Sequence, residues 1–268
     1  MVNDNVLDFN NALKALGEVS DSFTVDSWIP SIQSNLTFKQ LNAKQQKQLL
    51  GAAMDTSVYN TSFIKTFYSI LKDNLITENV NIDNLTLVDK TCIGLSLKSK
   101  ISNEITVFFG EKNKISNKFE IKPILDSLKE YITPKPALLE ENNGSFLLKT
   151  EILYPTIKVE FDYDSQFKGN KKPEEVKTTE DIQKLVSESF IGEISKYINK
   201  VWINESEVEL NNLPFEQRIK LIEKLPSSLL QKIIDKISEW KNNLDEILTV
   251  KYEDYTQTVN VDSIMFLN

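Results

Sequence analysis

The chain has 268 residues and a formal net charge of −8 at pH 7, with 40% hydrophobic and 26% charged side chains. That length can enclose a real core in one large or two modest domains, while the negative charge disfavours an electrostatic grip on nucleic-acid phosphates. Histidine is absent and Cys92 is the single cysteine, which excludes Ser–His and Cys–His nucleophiles, histidine metal sites, an internal disulfide and cysteine-rich metal centres.

Residues 1–11 hold neither a basic stretch nor an apolar run, so no signal peptide is expected. No stretch approaches 18 uncharged apolar residues, and a lone thiol fits a reducing cytoplasm. Residues 4–16 predict a short amphipathic helix with Val6, Phe9, Leu13 and Leu16 on one side. The polar run 20–35, broken by Pro30, reads as an arm or linker. Residues 38–54 offer a helix with Asn42 as its N-cap. A clearer one spans 58–71, where Tyr59, Phe63, Phe67, Ile70 and Leu71 fall at helical spacing. Leu85, Val88, Cys92 and Leu95 give a third stripe that ends near Lys100.

The pattern then changes to strands at 104–109 and 118–121, with Gly110 and Asn113 in the turn. Residues 123–132 read as a helical turn or more, and 133–145, with Pro134, Pro136 and Gly144, as a loop. Strand character resumes at 146–152 and 156–163, and 165–179 is the expected domain boundary. From Ile182 to Val201 apolar residues keep helical spacing for about five turns. Pro214 opens a short helix with Phe215, Ile219 and Ile222, and Pro226 a longer one running through Trp240 to Leu248. Residues 249–252 and 257–261 alternate as a hairpin.

Few groups carry chemistry. On a strand, Glu160, Asp162 and Asp164 would share one face, but an EF-hand loop starting at Asp162 would have Phe167 where glycine is needed, so a solvated acidic face is expected rather than a metal site. With 39 acidic residues, carboxylate pairs can be chosen at will and none is singled out for catalysis. The lysine clusters Lys112/Lys114/Lys118 and Lys168/Lys171/Lys172 read as solvated loops, and Cys92 as a buried, inert thiol. Seven glycines make no phosphate-cradling loop, and with Arg218 as the only arginine, bidentate anion recognition is poorly provided for. Trp240 continues a core stripe. Trp202 follows directly on the predicted long helix, and there an internal anchor and a partner-facing residue remain equal alternatives; Phe215 and Phe266 are similar.

The order of segments resembles the baseplate hub family of T4-like contractile-tailed bacteriophages, hub subunits or hub assembly proteins. Leu36-Thr37-Phe38-Lys39-Gln40-Leu41, followed by Lys47-Gln48-Leu49-Leu50, looks like the family's F-x-P-L…K-x-x-K-L-L helix entry. Leu153-Tyr154-Pro155-Thr156 is similar to its K-Y-P-T strand end, and residues 182–203 to its long helix before a short acidic stretch, here Asn204-Glu205-Ser206-Glu207. Residues 214–244 resemble its two-helix run, with Leu229-Leu230-Gln231-Lys232-Ile233-Ile234 in place of the family's Q-F-x-K-I-x-x-F-F. The terminal strands match in outline, but Glu253-Asp254-Tyr255-Thr256 replaces the family's C-x-x-C knuckle, so no zinc site carries over. The resemblance covers residues 30–268 discontinuously.

The expected fold is α+β: a mixed N-terminal region with short strands, then a helical C-terminal unit closed by a β-hairpin. The expected layout is an arm at 1–30, a mixed domain at 31–164, a linker at 165–177 and a helical domain at 178–268. The resemblance implies a non-enzymatic component or assembly factor of the baseplate hub, acting by protein–protein recognition, made in the host cytoplasm during assembly, with the virion's tail baseplate as its further location. Its partners would be the hub and tape-measure proteins, with no cofactor, metal, nucleic acid or membrane. Trp202, Phe215 and Phe266 are the expected partner-binding residues. Two alternatives are a chaperone of the tape-measure protein that leaves before the virion is complete, and a tail-associated peptidoglycan hydrolase using carboxylates.

Overall fold

The computed structural model describes residues 8–54, 61–110, 115–142, 144–168 and 178–259. It begins with helix α1 (Phe9–Ser22), capped by Asp8, whose carboxylate accepts from Asn11 N at 2.9 Å. No α1 side chain is buried. The segment expected to be an arm or linker is instead a hairpin of β1 (Thr24–Ile29) and β2 (Ser34–Lys39). Val25, Ser27 and Ile29 alternate into the core, as do Leu36 and Phe38, and Pro30 stands at the turn rather than in a linker. A domain boundary at residue 30 would therefore cut a hairpin.

Helix α2 (Ala43–Ala53) starts where Asn42 predicts. Asn42 Oδ1 accepts from Gln45 N at 2.9 Å while Gln45 Oε1 accepts from Asn42 N, a reciprocal capping box. Helix α3 (Ser62–Asn74) buries Phe63, Phe67, Ile70 and Leu71, and Tyr59 lies outside the described residues. Helix α4 (Leu87–Ser99) is apolar around most of its girth. It buries Val88, Cys92, Ile93, Leu95 and Leu97 because the β1–β2 hairpin, α5 (Ile121–Lys129) and α6 (Ile157–Tyr163) enclose it. At about 1.5–3 kcal/mol for each fully buried aliphatic side chain, α4 is a major contributor to the core, alongside the later helix Ser227–Leu248, which buries Leu229, Ile233, Ile237, Trp240 and Leu248. Burial also holds the Cys92 thiol far above its usual range, as expected for an inert group.

Strands β3 (Glu104–Phe109) and β4 (Ile115–Glu120) pair antiparallel just before α5. The expected loop at 133–145 contains a strand, β5 (Ala137–Asn142), which pairs with β6 (Leu147–Ile152). The prolines precede the strand, so they cost it no ladder hydrogen bond.

The expected strand at 156–163 is helix α6. Thr156 Oγ1 caps Val159 N, and Lys158 reaches Asp162 one turn on. Leu87 N donates to Pro155 O and Ile157 N to Leu85 O, so the Tyr154-Pro155-Thr156 stretch locks the entry of α6 to the entry of α4. Glu160, Asp162 and Asp164 consequently share no strand face: Glu160 pairs with Lys90, Asp162 with Lys158, and Asp164 is buried. Among the described residues no cluster of three or more acidic or thiol side chains is placed to hold a metal.

A π turn (Asp164–Lys168) follows, and 169–177 lie outside the described residues. Helix α7 (Thr179–Ser195) opens on a capping box between Thr178 and Asp181. It stops two turns before the predicted end, because Ile198–Ile203 forms strand β7, paired antiparallel with β6 and with β8 (Ser206–Glu209). The resulting sheet, in order β5-β6-β7-β8, joins strands from both sides of the expected linker. Helices α8 (Phe215–Ile222) and α9 (Ser227–Leu248) begin after Pro214 and Pro226 as predicted. The last helix leads directly into the hairpin β9 (Thr249–Tyr252) and β10 (Tyr255–Thr258). The hairpin packs back on β3 through Phe109 and Tyr252, ring centroids 6.0 Å apart. The fold is α+β, and no helix of the described residues is long and apolar enough to cross a membrane.

Trp240 sits in the core between Tyr154 and Tyr197, at 6.2 and 6.4 Å between ring centroids. Burial raises the hydroxyl pKa values of Tyr131 (to about 12), Tyr154, Tyr163 and Tyr197 above the ordinary tyrosine range. Such groups stay neutral in the folded chain but ionise near pH 10 once unfolded. Their contribution is intact below about pH 10 and is lost as the pH rises through the folded values. We expect alkaline unfolding in which a late class of tyrosines ionises, read as absorbance at 295 nm, together with loss of far-UV circular dichroism. Ionisation of every tyrosine near pH 10 with the dichroism intact would contradict the packing described.

Candidate helix-docking groove

Helix α7 carries more apolar surface than the core uses. Its C-terminal half buries Ile191 and Ile194 as it packs on α8 and α9. Along another face of the helix Ile182, Val186 and Phe190, spaced one turn apart, are each more than half exposed. Val186 and Phe190 form one wall of a groove of about 440 Å³, whose other wall is Ile234 and Ser238 of α9. Ile194, Ile237 and Tyr197 are its buried floor. The charged groups beside it are already engaged: Glu193 pairs with Lys196 at 2.6 Å, and Lys241 Nζ lies 5.7 Å from the centre of the Tyr197 ring. The walls are therefore mostly apolar, and the charges lie at the edge of the groove rather than across it.

The seat of α7 depends on Gly192. A Cβ there would lie 2.5 Å from Tyr163 Cε2 and 3.1 Å from Phe215 Cζ, so the helix approaches these rings as only glycine permits. Gly192→Ala is expected to destabilise the chain by about 1–3 kcal/mol despite alanine's gain in helix propensity of about 1 kcal/mol. A urea titration of the two proteins checks this, and equal or higher stability of the alanine variant would contradict the packing.

The expected partner-binding residues fall in three different places. Phe215 is buried and packs on Tyr163 at 5.4 Å between ring centroids, so it is a core residue rather than a contact for a partner. Its ring reaches the close approach at Gly192. Phe266 lies outside the described residues. Trp202 is on β7, half-buried, between Lys149 of β6 and Glu207 of β8. Its indole Nε1 donates to Glu207 Oε2 at 2.9 Å, and Glu207 also accepts from Lys200 Nζ at 2.7 Å. With Lys149 paired to Glu140, this makes a row of alternating charge around one aromatic on the sheet surface. The groove itself escapes sequence reading because Ile182, Val186 and Phe190 belong to the same periodic stripe as the core residues that follow. The signal present is the width of that stripe: Leu185 and Val186 are adjacent, more than one packing face requires.

A larger cleft of about 1,080 Å³ lies between the β1–β2 hairpin, α4 and α5, lined by Asp26, Trp28, Lys100, Glu104, Asp126 and Lys129 among others. Its acids are largely engaged within the fold: Asp26 with Thr37, Glu104 with Lys118 and Asp126 with Lys129. Of the lysine clusters, Lys118 is the member whose pairing is seen; Lys112, Lys114, Lys171 and Lys172 lie outside the described residues.

Comparison of the chain with protein-family models, with curated proteins and with solved structures finds no match in any of the three.

Proposed function

We propose that the chain is a non-enzymatic component or assembly factor of a contractile phage tail baseplate hub, and that it acts by recognising other tail proteins. The observation that carries the recognition part of this reading is the α7–α9 groove, with its exposed Val186 and Phe190 above an apolar floor. A groove bounded by two helices suits a third, amphipathic helix presenting apolar side chains at i, i+3 or i+4, and i+7. The tail assignment comes from the resemblance in segment order. The partners in this reading are the hub and tape-measure proteins, and assembly takes place in the host cytoplasm. A second reading, which the same groove serves equally, makes the chain a chaperone that holds the tape-measure protein and then departs.

Mass spectrometry of purified particles, with deletion of the gene, tests both. Stoichiometric peptides support a structural subunit. Absence from particles together with a tail-assembly defect on deletion supports the chaperone. Absence with normal tails, or clearing of a peptidoglycan zymogram that a single Asp or Glu substitution abolishes, overturns the proposal.

A further inference from the structure

Helix α1 stands apart from the rest of the molecule. None of its side chains is buried, and it is tied to the body by Asp21–Lys39 at 3.1 Å and by the Gln40 N–Phe23 O hydrogen bond at its end. A helix of 14 residues with Gly17 in its middle is marginal in water unless something covers its apolar face. That face is well formed. Phe9, Ala12, Leu13, Leu16 and Val19 fall on one side, while Lys14, Glu18 and Asp21 fall on the other. Phe9, Leu13, Leu16, Val19 and the adjoining Phe23 are each more than half exposed.

The stripe reads nearly alike in both directions about Leu16. Phe9 and Phe23 lie seven residues to either side of it, and Leu13 and Val19 three residues to either side. We propose that α1 pairs antiparallel with α1 of a second copy of this chain, with the two-fold axis at Leu16. Leu16 then meets its own counterpart, Phe9 lies against Phe23 of the second copy, and Leu13 against Val19. This is the self-complementary arrangement that an isologous dimer requires. The five side chains expose on the order of 550 Å² per copy, so the pair can cover at most about 1,100 Å², which is of the size of the smallest specific interfaces, roughly 1,000 Å². The face is uncharged, so covering it desolvates no ion. The proposal concerns α1 alone and stands whether or not the α7–α9 groove binds a tail protein.

Sedimentation velocity of the full chain from about 1 to 200 µM tests it. The wild type is expected to pass from monomer to dimer. Leu16→Asp, which sets two like charges at the axis, is expected to weaken the dimer by about a hundredfold or more. The melting temperature measured at the lowest concentration is expected to stay at the wild-type value, since Leu16 supports nothing else in the fold. As a second measurement, Leu16→Cys is expected to cross-link into a covalent dimer under mild oxidation, whereas Lys14→Cys on the opposite side stays monomeric; the native Cys92 is buried and silent. A wild type that is monomeric throughout, a dimer indifferent to Leu16→Asp, or equal cross-linking of the two cysteine variants overturns the proposal.

Discussion

Asp89→Ala is expected to lower the unfolding free energy by about 3 kcal/mol or more, the largest loss from any single side chain considered. Asp89 is fully buried at the start of α4 and its carboxylate serves two elements at once. One oxygen accepts from Ser31 N in the β1–β2 turn at 3.0 Å, and the other from Thr86 N at 2.6 Å and Thr86 Oγ1 at 2.9 Å. Alanine would leave one buried backbone donor, Thr86 N, and one half-buried donor, Ser31 N, without partners, at about 1–3 kcal/mol for the buried one and less for the other, and would remove one half of a capping box. It would also release the hairpin from the helix that it covers. Asp89→Asn keeps an acceptor for one side and presents an amide donor to the other, so an intermediate loss is expected. Urea unfolding of the three proteins measures this, and an alanine variant within about 0.5 kcal/mol of wild type would show that the carboxylate does not join the two elements.

The double substitution Val186→Asp with Phe190→Asp is expected to abolish capture of the proposed tail partner while leaving the chain folded, with a modest fall in melting temperature. Both side chains are more than half exposed, so charge costs the free fold less than it costs the complex, in which a helix lying in the groove would have to desolvate two carboxylates. An affinity loss of at least a hundredfold is expected in a titration of the purified partner. Trp202→Ala separates this groove from the sheet surface: if the sheet row were the contact, the tryptophan variant would lose binding and the groove variant would keep it.

The parts of the fold legible in the sequence are those whose cause is local. Asn42 with Gln45, and the prolines at 214 and 226, each mark a helix start through groups within three residues, whereas the cap of α7 is Thr178 and not the neighbouring Thr179 that the sequence suggests. The parts that mislead are those fixed at a distance. Residues 157–163 alternate like a strand, but the turn of chain from Pro155 to Ile157 is held by backbone bonds to Leu85 and Leu87, some 70 residues earlier, and the Thr156 cap then starts a helix. Ile198–Ile203 continues a helical spacing, yet its backbone pairs with β6, about 50 residues upstream. Pro30 looks like a linker residue until Ser31 N is seen to bond Asp89.

The candidate site was legible only in its ingredients. Trp202 proves half-exposed on the sheet surface, but Phe215 turns inward because Gly192 lets two rings reach the backbone of α7. The best sequence clue to that contact is a glycine inside an otherwise well-formed helix. The groove needs α9 beside α7, a juxtaposition no local pattern encodes.

Co-expression of the affinity-tagged chain with the hub and tape-measure proteins of the same genome is the most direct measurement. The account predicts that at least one of them is retained in stoichiometric amount on the wild-type chain and lost from the Val186→Asp, Phe190→Asp variant. Retention of neither by a folded wild-type chain would contradict it.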